Sequence, residues 1–337
     1  MTWLTDLGAT SPVVAAPMAG GPTTPALALA AATTGSLGFL AGGYLTADAL
    51  AEHVTRVCAE TSLYAVNLFA PCPVPVGPVA YAAYRELILP EAERYGVDLP
   101  EHPVEDDDHW QDKVDFLIDH PVPVVSFTFG IPDAACLAAL RRAGSLLAQT
   151  VTSAEEARQA ADAGVDVLVV QASSAGGHSG TLTPDRIPAD RPLAELLREV
   201  RAGVDLPLLA AGGVATRADV AALLAEGADA AAVGTLLLLA DESGASPAHR
   251  AGLADHGRGT AVMRGWTGRP ARGLRNAFSD AYDAGAPLGY PAIHHLTRPI
   301  RRAAAAAADP ERVNLWAGTG FRAARRAPAA EILQSLG

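Results

Sequence analysis

Lysine is almost absent from this 337-residue sequence: Lys113 stands alone against twenty-four arginines. A mechanism that needs a lysine amine, such as Schiff-base aldol chemistry or pyridoxal phosphate chemistry, would have to use that residue. It sits in the charged run Asp106-Asp107-Asp108-His109-Trp110-Gln111-Asp112-Lys113. Such a run reads as a solvated segment rather than a desolvated pocket, and those mechanisms are set aside. Cysteine is nearly as scarce. Cys58, Cys72 and Cys136 show no C-x-x-C spacing, which argues against a disulfide framework and a thiolate zinc site. None of the nine histidines falls in an H-x-x-x-H or H-E-x-x-H pattern, so no protein-held catalytic metal is expected. Basic charge is in deficit, with a net charge of −12. A polyanion would meet repulsion over most of such a surface, and nucleic acid is not an expected partner. No uncharged apolar stretch is long enough to span a bilayer. The opening Met1-Thr2-Trp3-Leu4-Thr5-Asp6 lacks the basic and long apolar regions of a signal peptide. A cytoplasmic protein with no membrane partner is expected.

What is present is apolar material in short, regularly spaced runs. Half the residues are hydrophobic and 18% are charged, enough for a large core. The runs Val13–Ala16, Leu37–Ala41, Leu63–Leu68, Val122–Phe127, Leu146–Val151, Val165–Val170, Leu206–Ala210 and Ala230–Val233 read as eight strands. Helical patterns separate most of them: Pro25–Thr33, Ala47–Ala59, Pro132–Ala143, Ala154–Ala163 and Arg217–Ala225. Thr152 with Glu155 and Thr216 with Asp219 have capping-box spacing, and Gly164 and Gly227 suit helix ends. Strand and helix in alternation predict an α/β fold of the TIM (β/α)₈ barrel class. An open doubly wound sheet ranks second, because no G-x-G-x-x-G follows the first strand. Two stretches break the rhythm, Cys72–Asp119 and Asn276–Arg312, and both exceed an ordinary connection. The expected division is a barrel of residues 1–71, 119–275 and 313–337, with a smaller cap or substrate lobe of residues 72–118 and 276–312.

Four Ala-Gly-Gly tripeptides follow apolar runs, at residues 19–21, 41–43, 175–177 and 211–213. Paired glycines let backbone N–H groups approach a ligand closely, and barrel sites lie past the carboxyl ends of the strands. Gly212-Gly213 after the seventh strand and Gly234-Thr235 after the eighth match a phosphate cradle of backbone N–H groups and a helix N-terminus. The alternative is that they only make tight turns. Asn67 and Gln171 end strands with amides, which donate and accept and so suit the polar edge of a flavin ring, or else bond to a loop. His178 lies between glycines in a loop near the barrel mouth, where its ordinary pKa near 6.5 equips it for proton transfer.

Ala16-Pro17-Met18-Ala19-Gly20-Gly21, Val66-Asn67-Leu68-Phe69, Ser126-Phe127-Thr128-Phe129-Gly130, Gln171 through Gly180, Ala211-Gly212-Gly213, Val233-Gly234-Thr235 and Trp316-Ala317-Gly318 together resemble the nitronate monooxygenase family, formerly 2-nitropropane dioxygenases. The likeness runs over almost the whole chain. It implies an FMN-containing TIM barrel that oxidises alkyl nitronates with O₂ to a carbonyl compound and nitrite, without NAD(P)H. By resemblance, Pro17 and Met18 lie against the flavin, and Asn67 and Gln171 hold its polar edge. Gly176, Gly213, Val233, Gly234 and Thr235 hold the ribityl phosphate, Gly177 and Gly212 also bind the cofactor, and His178 is the catalytic histidine. Nitroalkanes are a further expected substrate class.

The chain departs from the family pattern at two positions. Thr128 stands where the family often has histidine, and Ser174 where it often has glutamate. Both, with Tyr290 of the cap, are expected to shape the substrate pocket. A flavin-dependent enoyl-acyl-carrier-protein reductase and a non-catalytic flavin-binding protein are the alternative readings. Substrate identity and oligomeric state are left open.

Overall fold

A computed structural model describes residues 2–337, so Met1 of the opening stretch lies outside it. Its barrel begins with β1 (Val13–Ala15), β2 (Gly38–Ala41), β3 (Tyr64–Ala70), β4 (Val124–Phe129), β5 (Leu146–Val151) and β6 (Val167–Gln171). A two-residue strand outside the barrel, β7 (Gly177–His178), comes next; β8 (Leu208–Ala211) and β9 (Ala230–Val233) complete the barrel. All eight barrel strands are parallel, and β1 pairs with both β2 and β9, which closes the sheet. The TIM barrel expected from the alternation of strand and helix is therefore present.

The strands are buried on both faces, as parallel barrels require, which is why they read as continuous apolar runs. Alternation then sorts their side chains. Val14, Phe39, Ala65, Val124, Ala148, Val167, Leu209 and Ala230 fill the barrel interior. Val13, Val66, Val125, Leu168, Leu208 and Ala231 face the surrounding helices. Toward the carboxyl ends, the inward positions turn polar or small at Asn67, Ser126, Thr128, Thr150, Gln171 and Gly234, and these form the base of a cavity.

Helix starts follow from local side-chain bonds. The Thr216 box forms as expected, with Thr216 Oγ1 accepting from Asp219 N–H at 3.1 Å and Asp219 accepting in return from Thr216 N–H at 2.8 Å. The other is displaced by one residue. Ser153, in extended backbone, is the cap, accepting from Glu156 N–H at 3.1 Å, while Glu156 accepts from the Thr152 hydroxyl at 2.8 Å. After Gly234 comes only the five-residue 3₁₀ turn Thr235–Leu239, not the α-helix whose N-terminus was expected to meet an anion.

A second hydrophobic cluster sits apart from the barrel core and joins Tyr81, Tyr84 and Ile88 of the helix Pro78–Tyr95 to Phe278, Ile293 and Ile300. It also draws in Met263 and Trp266 from the hairpin of β10 (Thr260–Met263) and β11 (Ala271–Leu274), which the sequence had assigned to the barrel. Conversely, Val114 and Leu117 of the helix Trp110–Asp119 pack into the barrel core, although the sequence had assigned them to the cap.

Lys113 lies on that helix, and it is not solvated. Its side chain is 1% exposed and its Nζ donates to Asp108 at 2.7 Å; Asp108 also accepts from Tyr44 N–H at 2.8 Å. The acidic run therefore folds inward at one position to neutralise the single ammonium. Replacing Lys113 with alanine leaves a largely buried carboxylate without its cation, with an expected loss of about 3–5 kcal/mol in urea unfolding. A loss under about 0.5 kcal/mol would show that the pair contributes no more than a surface ion pair.

Candidate active site

The polar strand ends open into a cavity of about 700 Å³ between the barrel and the second cluster. Pro17, Met18, Asn67, Thr128, Gln171, Gly176, Gly177, His178, Gly212, Gly213, Gly234, Thr235 and Tyr290 all border it. Two expected residues do not. Val233 has the outward parity of its strand: its side chain is in the helix-facing core and its carbonyl accepts from Ala16 N–H at 3.0 Å. Ser174 lies behind the Gly212-Gly213 turn, where its Oγ is 2.8 Å from the place a Cβ on Gly212 would occupy. Its carbonyl accepts from Thr319 N–H at 3.0 Å, so it ties down the chain's last segment instead of facing a substrate.

One wall of the cavity is built of backbone. The N–H groups of Gly176, Gly212, Gly213 and Gly234 donate to no acceptor among the described residues, and all four glycines border the cavity. Unpaired backbone donors in such a place suit an anion. The wall is closed by Trp316-Ala317-Gly318, which returns across the mouth. Gly318 N–H donates to Thr235 Oγ1 at 2.9 Å, and Ala317 N–H to the Arg272 carbonyl at 3.3 Å. A Cβ on Gly176 would fall 2.5 Å from Gly318 N. Glycine is required there because two main chains touch.

The two expected amides have unlike environments. Asn67 is 4% exposed, and its Nδ2 donates to Ser126 Oγ at 2.8 Å and Thr128 Oγ1 at 3.0 Å, which leaves the amide oxygen uncommitted. Gln171 spends most of its capacity on the loop: Nε2 donates to the His178 carbonyl at 3.1 Å and Oε1 accepts from Gly180 N–H at 2.7 Å. Its clearest role is to hold the His178 segment, with one amide N–H left over.

That segment is not a free glycine loop. Gly177 and His178 form β7, which pairs antiparallel with β11, His178 opposite Ala271. The imidazole Nε2 lies 2.9 Å from Thr267 Oγ1, and the ring is enclosed by Phe129, Trp316 and Tyr290 with centroids at 5.5, 5.5 and 5.8 Å. Burial, with smaller contributions from the guanidinium groups of Arg269 and Arg301, pushes its pKa down to about 3. His178 is therefore neutral at pH 7, with one ring nitrogen carrying a proton and the other free to accept one.

Positive charge is supplied by arginine. Arg269 is fully buried, with its guanidinium 4.1 Å over the Phe129 ring. Arg301 borders the cavity and donates to the His294 carbonyl at 2.8 Å and to His294 Nδ1 at 3.2 Å. An arginine only donates, so His294 is neutral at Nδ1; burial and Arg301 hold its pKa well below the usual range. Its ring stacks on Tyr44 at 4.4 Å. Tyr44 itself follows the second Ala-Gly-Gly, at a backbone φ of 68°. Gly43 there leaves room for Phe69, whose ring would come within 2.4 Å of a Cβ. Thr267, Arg301, Tyr44 and Trp316 were not among the expected site residues; the Ala-Gly-Gly before Tyr44 and the Trp316-Ala317-Gly318 motif were the signals near them. Among the described residues, no group of three or more His, Cys, Asp or Glu side chains is placed to hold a metal ion. Among the described residues, no helix is long and apolar enough to cross a membrane.

The family model described as nitronate monooxygenase matches residues 1–337. A protein of Bacillus subtilis named probable nitronate monooxygenase is 32% identical over 317 residues, 93% of this chain and 91% of the relative. One of the same name from Staphylococcus saprophyticus is 31% identical over 332 residues, 96% and 93% of the two chains. Among solved structures, nitroalkane oxidase from Streptomyces ansochromogenes superposes with a TM-score of 0.94 at 43% identity, covering 99% of this chain and 96% of that one. FabK from Thermotoga maritima gives 0.76 at 25% identity, covering 100% and 94%.

Proposed function

The chain belongs to the nitronate monooxygenase family and is an oxidoreductase, and we propose that it binds FMN and oxidises alkyl nitronates, or nitroalkanes, with O₂. The products are a carbonyl compound and nitrite, and NAD(P)H is not consumed. The observation that carries this reading is the neutral imidazole of His178 in the same cavity as the unpaired N–H groups of Gly176, Gly212, Gly213 and Gly234.

The residues present fit FMN. Those four N–H groups, with Thr235 nearby, suit its phosphate, and a Cβ at Gly176 would collide with the Ala317-Gly318 main chain that backs the cradle. Pro17 and Met18 border the cavity from the end of β1 and suit its ring, while the free oxygen of Asn67 suits a ring N–H. When bound, FMN supplies the electron acceptor and the reaction with O₂. The protein's own contributions are binding, orientation and proton handling. Arg301 and Arg269 offset the negative charge of a nitronate in a protein of net charge −12. His178, neutral but a weak base at its depressed pKa, is placed to accept the α-proton of a nitroalkane as Arg301 and Arg269 stabilise the nitronate that forms. Tyr290 and Trp316 exclude water from the ring of His178.

The likeness to FabK favours one other reading, a flavin-dependent reductase that draws electrons from a nicotinamide. Purified protein is expected to be yellow, to release FMN on denaturation, and to form nitrite from an alkyl nitronate in air with no nicotinamide added. Rapid anaerobic bleaching by NADH, with no nitrite from any nitronate, would replace the oxidase reading with the reductase one.

A further inference from the structure

Thr267 stands at the turn of the β10–β11 hairpin, 89 residues from His178, and is 1% exposed. The turn is held from several sides. Asp283 Oδ1 accepts from the N–H groups of Arg264 and Gly265, both at 2.7 Å, and Thr267 N–H donates to the Arg264 carbonyl at 3.1 Å. Gly268 packs on Gly289 so closely that a Cβ would fall 2.8 Å from its carbonyl carbon. The hydroxyl is therefore presented to His178 from a fixed frame.

Threonine has one hydroxyl proton and two neighbours to satisfy: His178 Nε2 at 2.9 Å and the Arg269 carbonyl at 3.4 Å. If the hydroxyl donates to Nε2, the Arg269 carbonyl loses the one donor it has among the described residues, and Nδ1–H has no acceptor there. If it donates to the carbonyl, it accepts from Nε2–H and both contacts are made. Buried polar groups are ordinarily paired, and the second arrangement pairs more of them. We infer that Thr267 is a positioning residue that fixes His178 as the Nε2–H tautomer, leaving Nδ1 as the ring's only proton acceptor. The inference rests on the reading of His178 as the proton-handling group of this site. Thr267 itself touches no reacting atom.

The test is a long-range ¹H–¹⁵N correlation spectrum of the ¹⁵N-labelled, FMN-loaded protein at neutral pH, with the His178 signals assigned by their loss in His178→Asn. The expected wild-type pattern is a protonated Nε2 and an unprotonated Nδ1. Thr267→Val, of similar shape but without a hydroxyl, is expected to give a mixture of tautomers and a kcat lower by a factor of about ten, with KM and FMN affinity within about twofold. Thr267→Ser is expected to restore both the spectrum and kcat. A protonated Nδ1 in the wild type, or an unchanged tautomer in Thr267→Val, would overturn the positioning role. Should Thr267→Val fail to fold, the wild-type spectrum and Thr267→Ser decide the question. Full turnover by His178→Asn would instead overturn the reading of His178, and the spectrum would still decide the tautomer.

Discussion

Substitution of His178 by asparagine is expected to lower nitrite formation from a nitroalkane by a factor of about 10²–10⁴, the usual contribution of a positioned proton acceptor. The FMN content is expected to stay near that of the wild type. The groups proposed to hold its phosphate are main-chain N–H groups, and the imidazole contributes none of them. Asparagine keeps a polar group of similar reach but cannot take up a proton near neutral pH. A preformed nitronate has already lost its α-proton, so its turnover is expected to fall less than that of the parent nitroalkane. Equal losses on the two substrates would mean that His178 stabilises charge instead of moving a proton. Nitrite release and the flavin-to-protein ratio, measured on both substrates, decide between these outcomes.

The pH dependence follows from burial. An imidazole held at about 3 in the folded protein is neutral throughout pH 5–8, so no acid limb from His178 is expected in kcat/KM over that range. The same shift has a consequence for stability. Between pH 3 and 6.5 the unfolded chain binds the proton and the folded chain does not, so this group's contribution is complete above 6.5 and is lost as pH falls toward 3. An inflection near 6.5 in the kcat/KM profile that disappears in His178→Asn would show that the ring is solvated in the free enzyme.

The barrel was legible in the sequence because each strand is covered on both faces and so is written as an unbroken apolar run, with a cap and a glycine marking the helix after it. The ends of those runs also pointed to the cavity, since polar residues such as Asn67 and Gln171 stand out where an inward position meets it. Parity was harder to read. Val233 sits in a telling tripeptide, yet its side chain points at the helices and only its neighbour Gly234 reaches the cavity. Contacts between distant segments left no local mark at all: Thr267 meets His178 across 89 positions, and nothing around Thr267 resembles a site motif. The helix Trp110–Asp119 was hidden for another reason. Its acidic approach reads as solvent-exposed, but the charge of Asp108 is spent on Lys113 inside the fold.

Gly176→Ala is expected to lose FMN affinity by about 10–100-fold, because the added methyl group meets main chain on every near side. The Cβ would lie 2.5 Å from Gly318 N, 2.6 Å from Ala317 C and 2.8 Å from Ala317 Cα. A flexible side chain can swing away from such a contact, but backbone can yield only by moving as a segment. The segment that must move is the one whose Gly318 N–H holds Thr235 Oγ1 at 2.9 Å and whose Ala317 N–H holds the Arg272 carbonyl. Relieving the contact therefore spreads the two sides of the cradle. Overpacking of this kind costs roughly 1–3 kcal/mol, which at about 1.4 kcal/mol per tenfold brackets the stated loss. Gly77→Ala is the matched control, since nothing lies within 4 Å of its Cβ and it is remote from the cradle in the sequence. Titration of apoprotein with FMN, followed by flavin fluorescence, measures the difference. Equal affinities in the two variants would mean that the phosphate is bound elsewhere, and the four unpaired N–H groups would need another anion.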